Sequence, residues 1–210
     1  MARLFLLSPA NAGGVRAQQL LSPRAGFELA RRVQSARGAP MGEVFAFMSG
    51  LYFRGKLTYA TRFAEVGDYP ATTELGGGVL VITPGAGLRS ADTHVNADAL
   101  RLFAQIEINL ANPAYRTPLE ASARRMARAI GEDGSVVLLG SIASPKYVDV
   151  LLEVFGSRLL FPTAFVGRGD MSRGGLLLRH ASAGVELDYE PVQGAVRHGP
   201  RPPKLGKANG

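Results

Sequence analysis

Asp170 stands between Arg168 and Arg173, in a stretch from Phe161 to Arg179 that also carries Ser172 and the glycines 167, 169, 174 and 175. Nearby cations favour the charged form of a carboxylate, so Asp170 is expected to be ionised. An ionised aspartate there would orient a water or hydrogen-bond a base edge. Equally, it would pin its own loop. The glycines allow positive φ and close backbone approach, and a glycine-rich loop can present N–H groups in an anion-binding nest. Asp92 is the second carboxylate of interest. It follows the apolar run 79–83 and the turn Pro84-Gly85-Ala86-Gly87. It would serve as acid or base, or cap the next turn. Asp170 and Asp92 are therefore the candidate catalytic residues.

The candidate ligand-binding residues fall in the same kind of place, just after apolar runs. Ser8, Asn11 and Gly13 follow residues 3–7, and Ser49 and Tyr52 follow residues 43–48. Thr83 ends the run 79–83, and Ser141, Lys146 and Tyr147 follow residues 135–139. Arg168, Ser172 and Arg173 follow residues 158–161. If those runs are parallel strands, all these residues collect on the rim where α/β sheets bind ligands. Lys146 sits in the first turn of a helix expected from Pro145, where a cation opposes the macrodipole, so a bound anion accounts for it better. Tyr52, Lys56, Tyr59 and Phe63 share one helical face. Lys56 would lie along those rings with its ammonium in water. Alternatively, it would reach the site.

The elements that must position these residues read as follows. Residues 3–7, 43–48, 79–83, 135–139 and 158–161 are short apolar runs, taken as buried strands. Helices are expected over 22–37, through most of 49–63, and over 97–108, 117–130 and 145–155. Ser182-Ala183-Gly184 reads as a hairpin turn between 175–179 and the alternating strand 185–190. The fold class predicted is a three-layer α/β/α sandwich, its sheet mainly parallel with a C-terminal antiparallel hairpin. Residues 1–192 form one domain, and 193–210 a basic, Pro-rich tail.

The 210 residues carry 24 Lys and Arg against 17 Asp and Glu, a net charge of +7, which favours an anionic partner, nucleotide or nucleic acid. The chain has no cysteine, so no thiolate chemistry runs in it. Its three histidines lie far apart without metal-ligand spacing. Walker A, Gly-x-Gly-x-x-Gly and Gly-x-Ser-x-Gly patterns are missing, so no cofactor is expected. No apolar run approaches the ~20 residues that span a bilayer, and no signal-peptide pattern is seen. The expectation is a cytoplasmic protein with no membrane partner.

Residues 50–60 (GLYFRGKLTYA) and 80–93 (LVITPGAGLRSADT) together resemble a set of uncharacterised bacterial α/β domains. That set is distantly similar to the non-catalytic region of archaeosine synthase, a tRNA-modification protein, and the resemblance extends to a uracil-DNA-glycosylase-like fold. The resemblance covers about half of the chain. It implies a three-layer domain and a link to nucleic-acid bases. The water-activating and His-bearing motifs of true uracil-DNA glycosylases are missing here.

The function expected from residues and resemblance together is a cofactor-independent enzyme acting on a nucleobase, nucleoside or nucleotide, alone or within tRNA or DNA. The alternative is a non-catalytic nucleic-acid-binding module or a scaffold subunit of a larger complex. A cavity at the rim favours the enzyme, and a flat basic surface favours the binder.

Overall fold

Strand β1 (Arg3–Leu7) shows why the chain folds in three layers. Its side chains alternate, with Phe5 and Leu7 joining one apolar core and Leu4 and Leu6 the other. A strand buried on both faces needs helices on both. The structure, a computed structural model, describes residues 2–67 and 76–203. After β1 come α1 (Val15–Leu21), α2 (Glu28–Gln34), β2 (Ala39–Pro40), α3 (Met41–Ser49) and α4 (Leu51–Phe63). Next are β3 (Val79–Thr83), β4 (Gly87–Ser90), β5 (His94–Val95), α5 (Ala97–Gln105) and α6 (Pro113–Ala129). The chain continues with β6 (Ser135–Leu139), α7 (Pro145–Phe155), β7 (Leu159–Pro162), α8 (Asp170–Ala183) and β8 (Tyr189–Pro191).

The main sheet has the order β4-β3-β1-β6-β7-β8. Strands β3, β1, β6 and β7 are parallel, whereas β4 and β8 close the edges antiparallel. Phe45, Phe53, Tyr59, Leu100 and Leu177, from α3, α4, α5 and α8, fill one face. Tyr115, Leu119, Met126, Val148 and Leu151, from α6 and α7, fill the other. This is the expected α/β/α sandwich with a mainly parallel sheet. The chain runs outward from β1 to β3, then crosses back to place β6 on the other side of β1. Between β1 and β6 the strand order reverses, which leaves a crevice at their carboxyl ends.

Several elements differ from their sequence reading. Residues 43–48 lie in helix α3, not in a strand. A short apolar run fits either state, and Val44, Phe45 and Met48 are buried at helical spacing. Gly50, with φ of 64°, turns the chain between α3 and α4, which Cβ-bearing residues rarely allow. The glycine-rich loop is mostly helix α8, and its Gly174 serves helix packing. A Cβ on Gly55 of α4 would stand 2.6 Å from the Gly174 carbonyl oxygen, and a Cβ on Gly174 would stand 2.9 Å from that of Leu51. The two helices cross backbone to backbone. Residues 182–184 are the end of α8, capped by left-handed Gly184, and not a hairpin turn. The C-terminal strand shortens to β8, which still pairs antiparallel with β7. Residues 22–37 hold only the short α2, while α6 starts at Pro113, capped by Asn112, ahead of the expected Thr117. The expected loop 67–78 and the expected tail fall partly outside the described residues. Residues 193–203 run without helix or strand. They pass so close to Gly167 that a Cβ there would meet the Pro200 carbonyl. Among the described residues no helix is long and apolar enough to cross a membrane.

Candidate functional site

The β1–β6 crevice begins at Ser8, the residue after β1. Its backbone N–H donates to the Leu139 carbonyl at the end of β6 at 3.2 Å, which ties the two strand ends together. Gly140 follows, and here a side chain has no room. A Cβ would lie 2.9 Å from Tyr147 Oη and 3.0 Å from Ser8 Cβ. Tyr147, near the start of α7, folds back over this point. Its hydroxyl donates to the Ser141 carbonyl at 3.1 Å and accepts the Ser141 N–H at 3.0 Å. Burial pushes the Tyr147 phenol above its ordinary value.

Lys56 enters the same point from α4, in the helical layer above. It is 1% exposed, so it does not reach water along the rings. The helical face that carries it points inward, because Phe53, Tyr59 and Ala60 beside it build the core. Its Nζ donates to the Ser8 carbonyl at 2.7 Å and lies 2.8 Å from Ser8 Oγ. The rings of Tyr52 and Phe53 cover it, with centroids at 4.5 and 4.7 Å. Burial disfavours the ammonium and pushes the Lys56 pKa down from 10.5 to about 7; Asp170 opposes the shift and Arg173 adds to it. Near neutral pH the amine is thus available in both forms. Tyr52 is also buried, and burial raises its phenol pKa. Its buried O–H finds no acceptor, while the Arg173 guanidinium approaches the phenol oxygen as a donor. The group lies in the field of Arg173, Asp170 and Tyr147. A buried O–H without an acceptor is costly, and a ligand that supplied one would account for it.

Helix α8 contributes Arg173 and Asp170. Arg173 is buried, and its Nε and Nη2 donate to the Phe165 carbonyl at 3.2 and 3.0 Å. Its Nη1 stands 3.5 Å from Asp170 Oδ1, whose side chain is 68% exposed. Asp170 is therefore the outer member of the cluster, paired with Arg173. Arg168 turns elsewhere. It donates to the carbonyls of Ala164 at 2.9 Å and Pro203 at 3.5 Å and to Ser172 Oγ at 3.2 Å, so it and Ser172 hold the loop and the chain end.

Beside this cluster on the same rim is a cavity of about 630 Å³. Asn11 and Gly13 line it after β1, Pro84 after β3, and Ser144 and Lys146 after β6. Phe103, Ile106, Ile108 and Leu110, from α5 and the segment that follows it, give it an apolar wall. Its lining does not include Ser8 or Lys56. The two parts are joined through the chain, since residues 8–13 and 141–147 each contribute to both. Asn11 Oδ1 accepts the Gly13 N–H at 2.9 Å and sets the turn. The apolar wall was not singled out in the sequence, although Ile106-Glu107-Ile108-Asn109-Leu110 alternates outside any strand. Gly140 was also missed, because close approach leaves no trace in composition.

The remaining candidates stand apart. Asp92 lies past β4, which runs antiparallel to β3, and the neighbouring Ala91 N–H bonds the Val79 carbonyl at the start of β3. It is at the opposite end of the sheet from the crevice. Reading 84–92 as a single loop hid this reversal. Thr83 is fully buried, and its hydroxyl donates to the Gly87 carbonyl at 2.7 Å and accepts the Ala86 N–H at 3.0 Å. It pins the β3–β4 turn. Ser49 is exposed at the end of α3. Among the described residues no three His, Asp or Glu side chains gather as a metal site.

Comparison with known proteins gives no match, whether to protein-family profiles, to curated proteins or to solved structures.

Proposed function

We propose that this chain is a cofactor-independent enzyme that acts on a nucleotide, or on the nucleobase or nucleoside part of one, held in the cavity at the carboxyl ends of β1, β3 and β6. The observation that carries the reading is the juxtaposition of that cavity with a buried, ionisable cluster on one rim. A volume of about 630 Å³ fits a ligand of this size. The apolar wall would take the face of a base, and Asn11 its hydrogen-bonding edge. Lys146, exposed in the first turn of α7, would take the phosphate. The net charge of +7 supports an anionic ligand. The sequence resemblance to base-linked domains points the same way. Tyr52, Lys56, Tyr147 and Arg173 would do the chemistry, with Asp170 at the outer edge. If the base stays within tRNA or DNA, the exposed arginines of α6, such as Arg116 and Arg124, would meet the backbone.

The test is calorimetric titration of the full chain with mononucleotides and their nucleosides. Lys146→Glu is expected to weaken the nucleotides at least about tenfold and leave the nucleosides unchanged. Equal weakening of both, or no binding at millimolar ligand, would overturn the reading. The second reading, a non-catalytic nucleic-acid-binding module, is favoured by the charge alone. It predicts binding to duplex or single strands that falls steeply with salt and ignores Lys146→Glu.

A further inference from the structure

A serine hydroxyl is a weak nucleophile until a neighbouring base takes its proton. Ser8 has such a neighbour in Lys56, 2.8 Å away, whose other hydrogen bond to the Ser8 carbonyl holds the amine against this one residue. A lysine placed only for stability would keep its ammonium in water or pair it with a carboxylate. Lys56 does neither: it is sealed from water, and among the described residues no carboxylate stands within ion-pairing distance. It sits under two aromatic rings, and Asp170, the carboxylate whose charge reaches it, is engaged by Arg173. Close by, Tyr52 presents a buried hydroxyl that nothing accepts. At Gly140 the backbone comes so close to Ser8 that a Cβ there would lie 3.3 Å from Ser8 Oγ and 3.0 Å from Ser8 Cβ. Two residues after Ser8, Ala10 already lines the cavity.

We propose that Ser8 and Lys56 are a nucleophile and its base, and that the reaction they serve is transfer of an acyl group from a carboxylic ester on the cavity ligand to water. The proposal rests on the cavity being the ligand site. The neutral Nζ of Lys56 takes the Ser8 hydroxyl proton as Oγ bonds to the carbonyl carbon, and the carbonyl π pair moves onto its oxygen. The Tyr52 hydroxyl is the donor assigned to that oxyanion. The tetrahedral centre then collapses, the ester C–O bond breaks, and the proton on Nζ passes to the leaving alkoxide. Water next attacks acyl-Ser8 with Nζ again as base. Carboxylic acid is released and Ser8 regains its proton. No oxidant, metal or further reactant enters the balance.

The experiment uses a small fluorophosphonate, which reports on the nucleophile without needing the cavity ligand. The full chain is incubated with it from pH 6 to pH 10, and the adduct is located by peptide mass spectrometry. Labelling is expected on Ser8, with a rate that rises through about pH 7 as Lys56 loses its proton. It should vanish in Ser8→Ala and fall about 100-fold or more in Lys56→Met. It should fall roughly 100-fold or more in Tyr52→Phe, whose melting temperature should hold. An unlabelled Ser8 in the folded wild type across this range overturns the proposal. So does equal labelling of folded Lys56→Met, and should that variant not fold, a flat wild-type pH profile does the same. Nucleotide titration of the same preparation separates the two ideas: binding retained without labelling defeats the Ser8–Lys56 pair alone, and binding lost defeats the cavity.

Discussion

Replacing Lys56 with Met should change how stability responds to pH. In the folded chain the ammonium loses its proton near pH 7, while an unfolded lysine keeps it to about 10.5. Between those values the unfolded state holds a proton that the native state has released, so native stability rises with pH across the window. The Lys56 contribution is fully present above about 10.5 and is lost as pH falls to about 7. Over the whole window it is worth about 5 kcal/mol, and its steepest slope is about 1.4 kcal/mol per pH unit. Lys56→Met keeps the stem and has no proton to exchange. It also takes the Lys56 donor from the Ser8 carbonyl and hydroxyl, a cost of about 1–3 kcal/mol that does not depend on pH. Wild type minus variant should therefore grow by roughly 2 kcal/mol between pH 7 and pH 9. Urea unfolding of both chains at pH 6, 7, 8 and 9 reads this difference directly, and other titrating groups cancel. Parallel curves would mean that Lys56 stays charged in the native state, and the reasoning from burial would be wrong.

Asp170→Asn should leave the melting temperature nearly unchanged, because its partner Arg173 keeps two bonds to the Phe165 carbonyl and the carboxylate is mostly exposed. Asp170 favours the charged form of Lys56, so the same substitution should move the Lys56 titration to lower pH, as followed by its side-chain NMR signals. Gly55→Ala drives a methyl into the Gly174 carbonyl and should destabilise by about 2 kcal/mol or more in a thermal or urea melt. Gly140→Ala presses a methyl against Ser8 Cβ and Tyr147 Oη, so it should lower the melting temperature and slow Ser8 labelling together. If nucleic acid is bound, removing residues 197–210 should lower both the affinity and its salt slope in a fluorescence titration, and an unchanged slope would take that segment out of the interface.

The sheet was legible because its inner strands are unbroken apolar runs, and the residues just past them lie on one rim wherever the strand is parallel. Ser8, Asn11, Gly13, Ser141, Lys146 and Tyr147 reach that rim for this reason. Asp92 does not, because the tight turn at Thr83 reverses the chain into β4 before it. Residues 170–183 misled because glycines in sequence look the same whether they open a loop or let two helices touch, and only Gly55 on α4 decides between them. Lys56 shows the same limit. Its spacing with Tyr52 and Tyr59 fixed the helical face, but nothing local says that this face turns inward onto Ser8.

The central claim is that a nucleotide occupies the cavity on the β1–β6 side of the rim. Its most direct test is a titration of the isotopically labelled full chain with mononucleotides, followed residue by residue in amide NMR spectra. Saturable shifts are predicted at Asn11, Gly13, Phe103, Ile106, Ile108 and Lys146, with smaller ones at Ser8 and Ser141. Shifts spread instead over the arginine-bearing outer face of α6, or none at millimolar nucleotide, would contradict it.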